Sequence, residues 1–188
     1  MARWALISGE NGVENAARAV EVAERLAAGG ARVAGYVQHK GVDERGRKRF
    51  EIVRLSSGER AVLAVHGVFP RPGEGERFCS MAFRNDGFAT ARRWIEEDAP
   101  AADLLVLDGI SKLEVMGRGH SATLGAALRR EGKLVLVCAR ASQLFYVVER
   151  FGLAEEDLVA ALELPAAVGA ADSFARAVAA ALGCGAGA

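Results

Sequence analysis

Cysteine is scarce: the 188-residue chain holds only Cys79, Cys138 and Cys184. An odd number, widely spaced and without a CxxC pair, excludes a disulfide framework and a structural zinc site. It points to a reducing, cytoplasmic setting. Net charge is absent as well, because 24 basic and 24 acidic side chains cancel. That removes the strong basic field on which nucleic-acid binders rely. No apolar run approaches the roughly 20 residues of a membrane-spanning helix. The opening Met1-Ala2-Arg3-Trp4 leads into an apolar run without a small-residue cleavage site, so neither a secretory signal nor membrane insertion is expected.

What is present can build a core. Hydrophobic residues make up 51% and charged residues 26%, which excludes wholesale disorder and predicts one domain over 1–188. Ala2–Ser8 reads as a strand, Gly9-Glu10-Asn11-Gly12 as a tight turn, and Val13–Ala28 as an amphipathic helix stopped by Gly29-Gly30. Arg32–Gln38 reads as a second strand, completing a βαβ unit and predicting a parallel sheet. The pattern then changes. Lys40–Lys48 reads as a charged loop, Phe50–Leu55 and Ala61–Val65 as a hairpin, and His66–Arg77, with Pro70 and Pro72, as an irregular excursion. A brief strand at Phe78–Phe83 and a helix at Asp86–Asp98 follow, the helix carrying Phe88, Trp94 and Ile95 toward the core. Asp103–Asp108 and Leu134–Cys138 read as buried parallel strands. Helices are predicted at Ser121–Arg130, Gln143–Arg150, Glu155–Leu162 and Ala170–Leu182, before a fraying tail at 183–188.

A strand, a glycine-rich turn and a helix form the context of the P-loop, GxxxxGK[ST]. There a helix N-terminus meets phosphate, Lys bridges the terminal phosphates and Ser/Thr ligates magnesium. A later apolar strand ending in Asp108 suits the metal-orienting carboxylate of the same class. The order of motifs resembles the bacterial and archaeal nucleoside-triphosphatases of the thermophilic cancer-related type. The matching segments are Ser8-Gly9-Glu10-Asn11-Gly12, Gly35-Tyr36-Val37-Gln38, Phe50-Glu51-Ile52-Val53 with Ser57-Gly58-Glu59-Arg60, Asp108-Gly109-Ile110-Ser111-Lys112-Leu113-Glu114, and Val137-Cys138-Ala139-Arg140. Lys112–His120 is similar to an uncharacterised bacterial offshoot, a domain of unknown function associated with molybdenum-transport proteins. The resemblance spans roughly residues 4–155. It implies an α/β P-loop NTPase-like fold: a mainly parallel sheet flanked by helices, with an antiparallel hairpin inserted at about 40–66. It also implies a nucleotide with Mg2+, or an oxyanion such as phosphate or molybdate, as ligand. The residues it points to are Gly9, Glu10, Asn11, Gly12, Val13, Asn15, Lys112 and Arg140 for the ligand, and Asp108 for the metal.

The departures from that pattern are specific. Glu14, Asn15 and Ala16 stand where the P-loop has Gly-Lys-Thr, and Gly109 stands where the enzymes have a glutamate. The phosphate-bridging ammonium, the magnesium-binding hydroxyl and the water-orienting carboxylate are absent together. Each retained residue has a plain alternative. Gly9 and Gly12 either cradle an anion or simply make the turn; Asp108 orients a metal or caps a strand end. Lys112 and Glu114 pair on the surface or serve the site. Arg140 receives an oxyanion at a strand C-terminus or projects into solvent. Arg118 and His120 lie on a glycine-rich segment able to close over an anion. Cys138 reads as a buried hydrophobe, and Cys79 with His39 or His66 as a soft-metal pair without supporting spacing. Three functions remain: a nucleotide- or oxyanion-binding regulatory module without catalysis, an active nucleoside-triphosphatase in which Lys112 or Arg140 replaces the missing lysine, or a structural protein with a protein partner and a vestigial site.

Overall fold

In the computed structural model, which describes residues 2–185, the chain forms one nine-stranded sheet in the order β5-β6-β4-β3-β2-β7-β8-β1-β9. β1 (Arg3–Gly9), β2 (Val33–Val42), β7 (Leu104–Ile110), β8 (Leu134–Arg140) and β9 (Leu158–Glu163) make its parallel half. β3 (Lys48–Arg54), β4 (Arg60–His66), β5 (Gly75–Phe78) and β6 (Met81–Arg84) add an antiparallel wing beyond β2. The sheet is therefore mixed, and the insertion is larger than the hairpin predicted at 40–66, because it continues to Arg84.

Helices cover both faces of the parallel half. α1 (Gly12–Ala28) and α6 (Ala170–Leu182) lie on one face. On the other are α2 (Asn85–Asp98), α3 (Lys112–Val115), α4 (Ser121–Leu128) and α5 (Leu144–Phe151). Strand alternation divides the core between them. In β1, Trp4 and Leu6 join the α2–α4–α5 side while Ala5 and Ile7 join the α1–α6 side. Trp94 and Ile95 are buried as expected, and Cys138 is a buried free thiol.

The segment Glu155–Leu162 is not a helix. Leu158–Glu163 is β9, which pairs in parallel with β1 and closes that edge of the sheet. Leu158-Val159-Ala160-Ala161-Leu162 suits either period over so short a run; the open side of β1, which needs a partner, decides. Phe78–Phe83 is likewise two strands, broken at Cys79 and Ser80, with Cys79 at φ 54°. Lys40–Lys48 is a loop only at residues 43–47, since β2 runs on to Val42 and β3 begins at Lys48. The predicted tail begins at Gly183, which ends α6 in the left-handed region; residues 186–188 lie outside the described residues.

β2 changes partners along its length. Val33–Tyr36 pairs in parallel with Leu104–Leu107, Tyr36 also pairs with Arg54 of β3, and Val37–Val42 pairs with β3 alone. The shared ladder is pinned at both ends by carboxylates. Asp103 accepts from the Arg32 backbone N–H at 2.9 Å and from its guanidinium, which holds its pKa down to about 2. Asp108 accepts from the Gln38 N–H at 2.8 Å. Between the pins Gly35 lies opposite Val106 at φ +116°, and a Cβ built there falls 2.0 Å from the Val106 carbonyl oxygen. Only glycine lets the strands approach this closely. Gly35→Ala is expected to lower the unfolding free energy by about 3 kcal/mol. Gly46→Ala, in an open turn at φ +73°, should cost about 1 kcal/mol. Urea titrations of the two variants against wild type check the contrast.

Candidate functional site

The C-terminal ends of β1, β7 and β8 open onto one cavity of about 840 Å³. The ligand and metal residues to which the family resemblance points all line it: Gly9, Glu10, Asn11, Gly12, Val13, Asn15, Asp108, Lys112 and Arg140. Arg140 is the register partner of Gly9 across β8 and β1, which puts it on the cavity wall next to the glycine turn. Arg140 and Lys112 are both exposed and have no ion-pair partner among the described residues.

The turn is held by its own side chains. Asn11 is the cap of α1, its Oδ1 accepting from the Val13 N–H at 3.1 Å, and the helix begins at Gly12. Asn15 is 3% exposed and lies under the turn. Its Nδ2 donates to the carbonyls of Gly9 at 3.2 Å and Ala139 at 3.0 Å, while its Oδ1 has no partner. A Cβ on Gly9 would fall 2.7 Å from that oxygen, so Gly9 is glycine to accommodate Asn15. Gly12 meets no such demand, because a Cβ there faces open space. Glu10 accepts from the Ser142 N–H at 2.6 Å and from its hydroxyl at 3.2 Å, tying the turn to the loop after Arg140. Glu14 is exposed in the first helical turn.

Asp108 is 2% exposed and both its oxygens are taken by backbone, from Gln38 and from Gly109 at 2.7 Å. Burial pushes its pKa up to about 7 against the pull of these two N–H groups. Gly109 has φ +83°, and a Cβ built there lands 1.9 Å from Gln38 Nε2. Gln38 thus fills the space a side chain at position 109 would need.

Two expectations are corrected here. Glu114 forms no surface pair with Lys112: it is buried and caps backbone, accepting from Ser111 and His120, each at 2.9 Å. Burial raises its pKa to about 7. The Arg118–His120 segment brings no free charge to an anion. Arg118 is ion-paired to Glu76 of β5. His120 is wholly buried, its ring 4.7 Å from Tyr36 and 4.8 Å from Phe88, and burial lowers its pKa to about 3. Both its ring nitrogens and the Tyr36 hydroxyl lack partners, an arrangement that costs about 1–3 kcal/mol per group when left so. Cys79 joins no metal cluster; no group of three or more His, Cys, Asp or Glu able to hold a metal occurs among the described residues. Also among them, no helix is long and apolar enough to cross a membrane.

The parts sequence reasoning missed are Asn15 as a stitch, the Glu10–Ser142 tie, and Gln38. A buried position just inside a helix start, occupied by an amide, was the available signal for the first.

A family model described as NTPase matches residues 5–161. The chain belongs to this NTPase family. Among solved structures its fold is similar to the solution structure of a human cancer-related nucleoside triphosphatase. That match has a TM-score of 0.69 and 20% identity, over 96% of this chain and 97% of that one. It is also similar to the crystal structure of THEP1 from the hyperthermophile Aquifex aeolicus, with a TM-score of 0.67 and 16% identity, over 95% and 98% of the two chains. No curated protein matches.

The donors of this NTPase-family chain do not fit a magnesium–triphosphate. Ala16 supplies no hydroxyl and Asn15 is spent on two carbonyls. Asp108 is spent on two N–H groups. Glu10 places a carboxylate on the cavity wall and Glu14 another in the first turn of α1, both of which oppose a polyphosphate.

The buried carboxyls set a pH dependence. Asp108 and Glu114 rise from ordinary values of 3.8 and 4.5 to about 7 in the folded chain. Buried His120, lowered to about 3, acts in the opposite sense below about pH 6.5, and so does Asp103 near pH 4. Between about pH 5 and 7 the two carboxyls outweigh them, the folded state binds more protons than the unfolded state, and stability falls as pH rises. Urea midpoints are expected to be higher at pH 5 than at pH 8. Glu114→Gln, less stable throughout because its amide faces an N–H, should show a shallower slope.

Proposed function

We propose that this chain is a binding or regulatory module of the NTPase family that takes an oxyanion, or the phosphate of a nucleotide, without hydrolysing a triphosphate. The observation that carries the reading is the Asn15 side chain, which fills the place of the bridging lysine and bonds the turn shut from beneath. What remains open is the start of α1 at Gly12 with Arg140 beside it. Backbone N–H groups at a helix start and a guanidinium at a strand C-terminus both favour an anion. Phosphate, sulfate and molybdate share the tetrahedral oxyanion chemistry that suits such a place. The association of a similar family with molybdenum transport makes molybdate one of the ligands to try.

The rival reading is an active nucleoside-triphosphatase. It draws on Lys112 and Arg140, cations on the cavity wall with no ion pair among the described residues. The non-hydrolytic reading predicts no magnesium-dependent ATP or GTP turnover above that of the Asp108→Ala variant. Turnover on the order of 1 per second, lost in Lys112→Ala or Arg140→Ala, establishes the rival instead.

Calorimetric titration with phosphate and molybdate tests the anion site itself. A charge-assisted hydrogen bond contributes about 1.5–3 kcal/mol, so Arg140→Ala should weaken binding by about ten- to a hundredfold. Glu14→Gln should tighten it, by removing a carboxylate from the first turn. Unchanged affinity in Arg140→Ala rules this site out.

A further inference from the structure

The sheet has two outer strands, and only one of them is guarded. The edge at β5 is four residues long and charged. Its Glu76 is ion-paired to Arg118, and its Arg77 guanidinium lies 4.4 Å from the centroid of the Phe69 ring. Charges and a covering loop are ordinary means of keeping an edge from pairing with another chain. β9 has neither. From Leu158 to Leu162 it carries no charge and no proline, and among the described strands it pairs with β1 alone. The irregularity in that ladder falls at its start, and pairing is regular from Ala160 to Glu163. Leu164 donates its N–H to the Ser8 carbonyl at 2.7 Å. Backbone groups alternate in direction along a strand, so Leu162 and Ala160 also face β1. The N–H and C=O of Ala161 and Glu163, both exposed residues, therefore point away from the sheet. Beside them lies a shallow groove that Ala160 and Ala161 share with Ala170 and Ala177 of α6. Methyl side chains there leave room for another backbone to approach to strand distance.

We propose that β9 is the interface of a two-fold homodimer, in which it pairs antiparallel with β9 of a second copy and joins two sheets into one. Outward backbone groups call for a strand as partner, and this strand is its own complement. Centred on Ala161, antiparallel pairing sets Leu162 against Ala160 of the second copy and Glu163 against Val159. Bulky then meets small, and no charges are opposed. Centred one residue earlier, it sets Leu162 against Leu158 and Glu163 against Asp157, which crowds the ends and opposes like charges. The first register also brings the outward groups of Ala161 onto those of Ala161 in the second copy, as a two-fold axis requires. A strand from an unrelated protein is under no such constraint. Because β5 is guarded, assembly closes at two copies. No residue of β9 lines the cavity at the glycine turn, so the proposal is independent of what that cavity binds.

Sedimentation equilibrium of the full chain across the micromolar range, with amide hydrogen exchange followed by NMR, tests the interface. The expected result is a reversible rise in mass to twice that of one chain. The Ala161 and Glu163 amides should exchange slowly in the dimer, although neither faces β1. Ala161→Lys sets two ammonium groups against each other at the axis and should weaken dimerisation by about a hundredfold or more. Ala161→Pro removes an N–H that the ladder to β1 does not use, so it should abolish the dimer and leave the monomer folded. Ala161→Ser should dimerise like the wild type. A wild-type chain that stays monomeric, with a fast-exchanging Ala161 amide, overturns the proposal. A dimer that persists in Ala161→Lys overturns it too, by placing the interface elsewhere. Masses that grow beyond two copies overturn the two-fold closure. Exchange in the unmutated chain and the mass of Ala161→Lys decide even if Ala161→Pro does not fold.

Discussion

Asp108 holds the structure together at the point where its sheet divides. As far as Tyr36, β2 is a parallel strand beside β7; beyond it, β2 belongs to the antiparallel wing. A ladder that ends inside a sheet leaves backbone N–H groups without strand partners, and buried groups of that kind must find another acceptor. The Asp108 carboxylate accepts from Gln38 on the departing strand and from Gly109 on its own. The fork so formed is the cavity, with the glycine turn on one side and Phe50, Phe78 and Phe83 of the wing on the other. The burial that makes this carboxylate costly to ionise is also what keeps its two hydrogen bonds away from water.

Much of this was legible in the sequence, though not the reason for it. The Gly35-Tyr36-Val37-Gln38 motif is a marker of family resemblance on the page; in the fold Val37 fills the core and the other three have tasks of their own. Gly35 lets β2 approach Val106, Tyr36 packs on His120, and Gln38 meets Asp108 and covers Gly109. Helix α1, strand β7 and the neighbourhood of Arg140 followed from periodicity and turn residues. β9 did not, because five small and aliphatic residues carry no period long enough to separate helix from strand. Its state is set by the open edge of β1, a nonlocal cause. Glu114 and His120 were misplaced for a related reason. A charged residue in a glycine-rich stretch looks exposed until the fold supplies backbone donors that make its burial tolerable.

The polar and apolar parts of the cavity come from different architectural sources. Turn, Asp108 and Arg140 belong to the parallel half of the sheet. The phenylalanines belong to the wing and to the start of α2, joined to the rest through Arg118 and Glu76 and through Arg54 with Asp98. Both pairs are at least partly shielded, Arg54 and Asp98 being only 14% and 16% exposed, and so escape much of the screening that weakens surface ion pairs. They fix orientation, which is what a wall assembled from two units requires.

The stitched turn also bears on how occupancy of this protein is communicated. Many nucleotide-binding proteins signal by ordering a segment when phosphate arrives and releasing it when phosphate leaves. Here Asn11, Asn15 and the Glu10–Ser142 tie order the segment in advance. On the anion reading proposed above, an arriving ligand would find no loop to fold and would change little in shape. What it would change is the field in the cavity, by meeting the charge of Arg140 near the carboxylate of Glu10. Occupancy would then be legible from outside as an electrical state and not as a conformation.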